Sequence, residues 1–468
     1  MHLFQKTVLI AAIGVCFGGA AQKSQKTTAE FWLTNGDQSA LFQKQTAIPF
    51  AKGKATGDVI KVDDKKTFQE IDGFGYCLTG GSATLIHQMD PKAQDALLRE
   101  LFATDGNNIG ISYLRISIGA SDLDESVFSY DDLPEGEADP SLSRFTLAND
   151  QRTSLIPVLK KILAINPNIA ILGSPWSAPT WMKTNGDTRG GSLKPEFYDA
   201  YANYFVKYIQ EMKKQGIPIN AITVQNEPLH PGNNPSMYME AKDQAVFVRD
   251  HLGPAFEKAG IKTKIIVYDH NCDKPEYPLE ILNDANARKY VDGSAFHLYG
   301  GTIDALTKVH DAYPDKNVYF TEQWTGGPGH FPHDIEWNTE HLLIGATQNW
   351  AKVVLQWNLA SDPSYNPHTD RGGCSSCMGA ITIDGSTVTR NVAYYHMAHA
   401  AKFVRPGSKR IGSNTIENLP NVAFKTPDGK DVLVVVNTSK EPKTFSISAN
   451  GKVAKASLAA GSVGTFVW

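Results

Sequence analysis

The chain has 468 residues and a formal charge of −4, from 45 Lys and Arg against 49 Asp and Glu, and 41% of its residues are hydrophobic. That length allows a large core and more than one domain, with the composition of an ordinary globular protein. No run of Lys or Arg and no basic face stands out, which argues against nucleic acid as a partner.

Residues 1–20 read as a signal peptide. Lys6 supplies a short positive n-region, residues 7–17 form an apolar stretch too short to span a bilayer, and Gly18-Gly19-Ala20 offers small residues for cleavage. Export to a periplasmic, cell-surface or extracellular location is therefore expected. Cys16 invites lipidation, but the bulky Val15 before it disfavours that processing. No later segment is long and apolar enough to span a membrane. Residues 21–65 follow, with extended character over 29–62.

Between residues 66 and 405 short apolar runs alternate with helical patterns. Predicted strands are 68–74, 112–118, 169–174, 221–225, 264–269, 293–298, 317–321 and 353–357, with amphipathic stretches at 91–102, 154–165, 196–215 and 243–259. In 196–215, Tyr198, Tyr201, Phe205, Ile209 and Met212 recur every three or four positions and mark one helix face. Eight such alternations indicate an α/β protein with a closed (β/α)8 TIM barrel more than an open sheet. From 406 to 468 the pattern changes to short β-branched runs at 422–425, 432–437, 444–447 and 463–468, separated by turns such as Pro427-Asp428-Gly429. This is expected to be an appended antiparallel β-sandwich, to which residues 21–65 add strands.

Two predicted strands, the fourth and the seventh, end in glutamate. Glu227 lies in Ala-Ile-Thr-Val-Gln-Asn-Glu-Pro (221–228) and Glu322 in Asn-Val-Tyr-Phe-Thr-Glu-Gln-Trp (317–324). Barrel enzymes work from the C-terminal ends of their strands, and two carboxylates converging there suggest glycoside hydrolysis. The plain alternative is a pair of rim salt bridges.

Other candidates surround the pair. Arg115 ends an apolar strand and needs a carboxylate partner, either catalytic or structural. Asn226 could bond a sugar 2-hydroxyl or shape a turn. Trp176 and Trp181, in a Pro-rich loop after the third strand, and Trp357, ending the eighth, could wall a sugar site or simply fill core. His297 and Tyr299 end the sixth strand and could orient a carboxylate, although a core histidine is the bland alternative. Cys374-Ser-Ser-Cys377 has no second Cys/His pair for zinc, so a local disulfide or two free thiols remain. No metal is expected.

Taken together these stretches resemble glycoside hydrolase family 30, the family of lysosomal glucosylceramidase and microbial β-1,6-glucanases. The resemblance rests on Gly73-Phe74-Gly75, Leu114-Arg115-Ile116, Ser174-Pro175-Trp176 through Thr184-Asn185-Gly186, Asn226-Glu227-Pro228, His297-Leu298-Tyr299, Thr321-Glu322, Trp357-Asn358-Leu359 and the terminal Phe466-Val467-Trp468. It implies a barrel joined to a β-sandwich made from both chain ends. It also implies a retaining mechanism, with Glu227 as acid/base and Glu322 as nucleophile, and no cofactor. In that role Glu227 must hold a proton, so its pKa is expected above that of Glu322. One departure is read at Leu78-Thr79-Gly80-Gly81-Ser82, where Gly80 stands in place of an aspartate that holds glucose in the glucosylceramidases. Loop 361–377 also differs from the lysosomal enzyme. Both point toward a β-1,6-glucan oligosaccharide or polysaccharide. Glucosylceramide or another β-glucoside, xyloside or fucoside is the alternative within the class, and a non-catalytic carbohydrate-binding barrel lies outside it.

Overall fold

The computed structural model describes residues 28–148 and 154–468. The expected signal peptide, with Cys16, lies outside the described residues. Eight strands form a closed parallel barrel: β1 (Gly73–Cys77), β2 (Tyr113–Ser117), β3 (Ala170–Ser174), β4 (Ala221–Thr223), β5 (Lys264–Cys272), β6 (Val291–Gly301), β7 (Asn317–Glu322) and β8 (Ala351–Asn358). β8 closes onto β1, with Val353 opposite Gly73.

Alternation along each strand sorts the side chains. Leu114, Ile171, Ile222, Val267, Phe296, Phe320 and Val354 point outward into the core beneath the helices. Tyr113, Leu172, Ala221, Ile266, Ala295, Tyr319 and Val353 fill the barrel interior. β1 meets this layer with Gly75, where a Cβ would lie 1.9 Å from the Tyr113 carbonyl oxygen, so no larger residue fits. One step toward the C-terminal mouth five strands turn polar inward residues to the site, Arg115, Ser174, Thr223, His297 and Thr321, while β8 keeps the apolar Leu355. An apolar plug therefore supports a polar floor on which the site is built.

The predicted strand 68–74 spans two elements. Its first part belongs to Asp58–Glu70 of the other sheet, and the barrel strand begins only at Gly73. Phe68 packs edge-on against Trp350 and beneath the Arg410 guanidinium, 3.5 Å from the ring centroid. The apolar pattern runs on across Ile71, so periodicity alone does not reveal the change of sheet. Pro91–Phe102 forms the predicted helix, with Asp90 accepting from the Lys92 and Ala93 backbone N–H groups as its N-cap.

The second sheet draws on both ends of the described chain. Thr28–Thr34 pairs antiparallel with Val463–Val467, and Asp58–Glu70 pairs with Lys409–Ser413 and Lys443–Ala449. Phe31, Ile60, Phe445, Ile447 and Phe466 form its separate core, with the Phe31 and Phe466 rings stacked at 4.7 Å. A small sheet of Ala360–Ser361, Ile381–Asp384 and Thr387–Arg390 follows β8. No helix among the described residues is long and apolar enough to cross a membrane.

Candidate active site

Asp269 organises the polar floor. Tyr268 and Asp269 both have positive φ, 73° and 67°, at a break in the β5–β6 register. This bulge turns the Asp269 carboxylate into the barrel. Its Oδ2 accepts from Arg115 Nη2 (2.8 Å), Ser174 Oγ (2.8 Å) and Thr223 Oγ1 (2.7 Å), and its Oδ1 from His297 Nε2 (3.0 Å) and Thr321 Oγ1 (2.6 Å). Burial opposes the charge, but Arg115 and His297 outweigh it and hold this carboxyl far below the usual range. Asp269 was missed as a site residue, although it ends the apolar run 264–269 much as the glutamates end theirs.

The two glutamates stand above this floor. Arg115 Nη1 donates to Glu322 Oε2 at 2.5 Å, and the Tyr299 hydroxyl donates to Oε1 at 3.0 Å. Glu227 has φ +45°, a strained conformation for a non-glycine residue, with its N–H on the Asp269 carbonyl. Its Oε1 faces His297 Nδ1 at 3.2 Å, and Asn233 Nδ2 donates to Oε2 at 3.3 Å. One carboxylate oxygen of each glutamate and a His297 ring nitrogen all lie within 4.8 Å of one another. That spacing could hold a divalent cation, but Arg115, Tyr299 and Asn233 already occupy the carboxylates.

His297 decides how protons are arranged. Its Nε2 faces the Asp269 anion and so carries hydrogen, which leaves Nδ1 to share a proton with the glutamates. Burial opposes a charge on the ring, but Glu322, Asp269 and Glu227 raise its pKa to about 9. Burial also pushes both glutamates up. For Glu227 the His297 hydrogen bond and charge reverse the effect and bring it below the ordinary value. Glu322 stays raised despite His297 and Arg115. The expected order, with Glu227 above Glu322, is therefore inverted in the free site. The reason is position: Nδ1 is 3.2 Å from Glu227 but 3.7 Å from Glu322. The three groups titrate as a unit.

A cavity of about 260 Å³ opens over the pair, bordered by Trp176, Trp357, Tyr299, Trp324, Asp122 and the Cys374–Cys377 disulfide, with His230, Asn233, His270 and Asn271 around Glu227. Trp176 and Trp357 stack at 5.2 Å, and the Arg115 guanidinium lies 4.8 Å from the Trp176 ring. The buried Trp176 Nε1 has no protein acceptor among the described residues.

Several expectations change here. Trp181 is not in the cavity wall. It is buried, its Nε1 donates to the Asp131 carbonyl and carboxylate at 3.1 Å, and its ring meets the edge of Phe197. Arg115, His297 and Asn226 lie behind the wall, not on it. Asn226 Oδ1 accepts from Arg115 Nη2 at 2.6 Å, while Arg115 and His297, both fully buried, reach the site through the carboxylates they hold. Gly80 and Gly81 begin the helix Gly80–Gln88, and a Cβ on Gly81 would sit 2.5 Å from the Leu123 carbonyl oxygen. The β1 loop thus packs against the β2 loop, and the β2 loop itself puts the Asp122 carboxylate into the cavity. Burial, with Glu322 and Glu227 nearby, raises Asp122 to about 8. Asp122 was missed because Ser-Asp-Leu-Asp (121–124) reads as an ordinary polar loop.

The family model "Glycosyl hydrolase family 30 TIM-barrel domain" matches residues 71–404, and "Glycosyl hydrolase family 30 beta sandwich domain" matches 407–466. Among curated proteins, endo-1,6-beta-D-glucanase neg1 of Aspergillus fumigatus is 37% identical over 81% of this chain and 81% of its own length. Lysosomal acid glucosylceramidase of Mus musculus is 30% identical over 85% of this chain and 81% of its own. Among solved structures, the endo-beta1,6-glucanase BT3312 superposes with a TM-score of 0.87 at 33% identity, over 94% of this chain and 99% of that one.

Proposed function

Because this chain belongs to glycosyl hydrolase family 30, we propose that it is a retaining β-glycoside hydrolase acting on β-1,6-linked glucan, with Glu322 as nucleophile and Glu227 as acid/base. The observation that carries the mechanism is the approach of the two carboxylates, with oxygens within 4.8 Å. Retaining enzymes hold these groups about 5–5.5 Å apart, whereas inverting ones leave about 6.5–9.5 Å for a water. The endo-1,6-glucanases among the relatives support the substrate.

In the first step Glu322 attacks the anomeric carbon while Arg115 and Tyr299 hold its carboxylate. One proton moving across the contact between His297 and Glu227 turns imidazolium and carboxylate into imidazole and carboxylic acid. Glu227 then protonates the departing glycosidic oxygen. In the second step Glu227 takes a proton from water, which attacks the same carbon, breaks the ester to Glu322 and releases a sugar of unchanged configuration. Asp122, with its raised pKa, and the unpartnered Trp176 N–H supply hydrogen bonds to sugar hydroxyls. No cofactor takes part. The Cys374–Cys377 disulfide supports an exported protein.

The test is product analysis on β-1,6-glucan, glucosylceramide and aryl β-glucosides, with proton NMR of the first-formed sugar. Fast turnover of β-1,6-glucan with a β-anomeric first product is expected. An α-anomer would remove the double displacement. Faster turnover of glucosylceramide would remove the glucan assignment and leave the chemistry in place.

A further inference from the structure

Trp324 is one of two large hydrophobic side chains exposed among the described residues, at 36%; the other is Tyr299, whose hydroxyl is bound to Glu322. Trp324 borders the cavity at its mouth, two residues beyond Glu322. Its indole lies against a bare backbone. A Cβ on Gly326 would come within 3.2 Å of Trp324 Cζ2 and Cη2, so a methyl there would push the ring by a few tenths of an ångström. Gly327 in turn lies under the Tyr365 ring, where a Cβ would be 2.3 Å from Cε1.

This segment is also fastened. Gly327 N–H donates to the Ser376 carbonyl at 2.7 Å, Met378 N–H donates to the Thr325 carbonyl at 3.0 Å, and the Cys374–Cys377 disulfide closes the partner loop. An exposed aromatic face, supported from below and held by a cross-linked loop at the lip of the cavity, is a pre-ordered stacking surface.

Resting on the glucan reading above, we propose that Trp324 is the platform for the glucose unit next to the one being cleaved, and that it sets the preference for a glucan over a single glucoside. A pyranose presents an apolar face of C–H groups, and covering the indole with it removes apolar surface from water. An aryl glucoside has no second pyranose to lay on the platform.

The experiment compares kcat/KM on a series of β-1,6-gluco-oligosaccharides and on an aryl β-glucoside for the wild type, Trp324→Ala, Trp324→Phe and Gly326→Ala. Trp324→Ala is expected to lower the ratio of kcat/KM on the oligosaccharides to that on the aryl glucoside about tenfold. Trp324→Phe should restore most of the loss. Gly326→Ala, which keeps the indole but displaces it, should lower the oligosaccharide values in the same direction. A circular dichroism spectrum and a urea midpoint matching the wild type show that each variant is folded. A wild type active on β-1,6-glucan whose Trp324→Ala variant loses both substrates equally, or neither, overturns the platform alone. A wild type that hydrolyses aryl glucoside but no β-1,6-glucan overturns the substrate reading and the platform with it.

Discussion

At the scale of single residues the site depends on Asp269, which touches no substrate. It balances Arg115, fixes the His297 tautomer and gathers hydroxyls from β3, β4 and β7. Asp269→Asn leaves Arg115 with one buried carboxylate in place of two and offers His297 Nε2 no anion. Breaking a buried ion pair from one side costs about 3–5 kcal/mol, so a clear fall in the urea midpoint is expected. kcat should fall with it, since both catalytic carboxylates lose their positioning. Unchanged stability and rate would show that Arg115 is satisfied without Asp269. For the glutamates, Glu322→Gln should abolish turnover of every substrate. Glu227→Ala should spare aryl glycosides with good leaving groups and respond to azide. Equal losses on all substrates without azide rescue would remove the assignment. The pH profile follows from His297. Its proton, beside Glu227, is kept until pH rises through about 9, so the basic limb of kcat/KM should fall in that region. His297→Gln should move the limb to lower pH; an unmoved limb would exclude His297 from the proton inventory.

At the scale of elements, legibility depended on how local the cause was. Glu227, Glu322 and Arg115 could be found because a charge ending an apolar strand is a local contradiction, and the structure brings these three together. Asp269 carries the same signal at the end of 264–269, although the β-bulge that aims it inward does not show in the periodicity; Asp122 carries none, since its importance arises from a loop crossing. Trp181 illustrates the opposite error. A tryptophan in a Pro-rich loop at the barrel mouth looks like a sugar wall, yet its Nε1 is committed to Asp131 and its ring to Phe197. Trp181→Ala should therefore cost about 3–5 kcal/mol of stability, as large-to-small changes of buried aromatics do. The ratio of kcat/KM between oligosaccharides and aryl glucosides should stay at the wild-type value. A changed ratio with intact stability would return Trp181 to the substrate site.

At the scale of the whole molecule, the barrel and the second sheet are joined through His399, on the helix Val392–Ala401. The Thr465 hydroxyl donates to the His399 carbonyl at 3.0 Å, so it accepts from Nδ1–H at 2.8 Å. Nε2 then accepts from the Thr34 hydroxyl, also at 2.8 Å. One neutral imidazole thus binds a strand from each end of the described chain to the barrel. One turn earlier, His396 is fully buried and neither ring nitrogen has a hydrogen-bond partner among the described residues. Burial lowers the pKa of both histidines to about 3, against about 6.5 in an unfolded chain. Between those values the unfolded chain binds more protons than the folded one, so stability rises with pH across the window and is lost as pH falls through it. Tm should therefore decline steadily as pH is lowered from about 6.5. His396→Leu removes one titrating ring and breaks no hydrogen bond, so its decline should be shallower than that of the wild type. His399→Leu leaves the Thr34 hydroxyl without its acceptor and removes the donor to Thr465 Oγ1, so it should lower Tm even at neutral pH while also flattening the slope. If His396→Leu follows the wild-type curve at every pH, the His396 ring does not contribute to the acid limit.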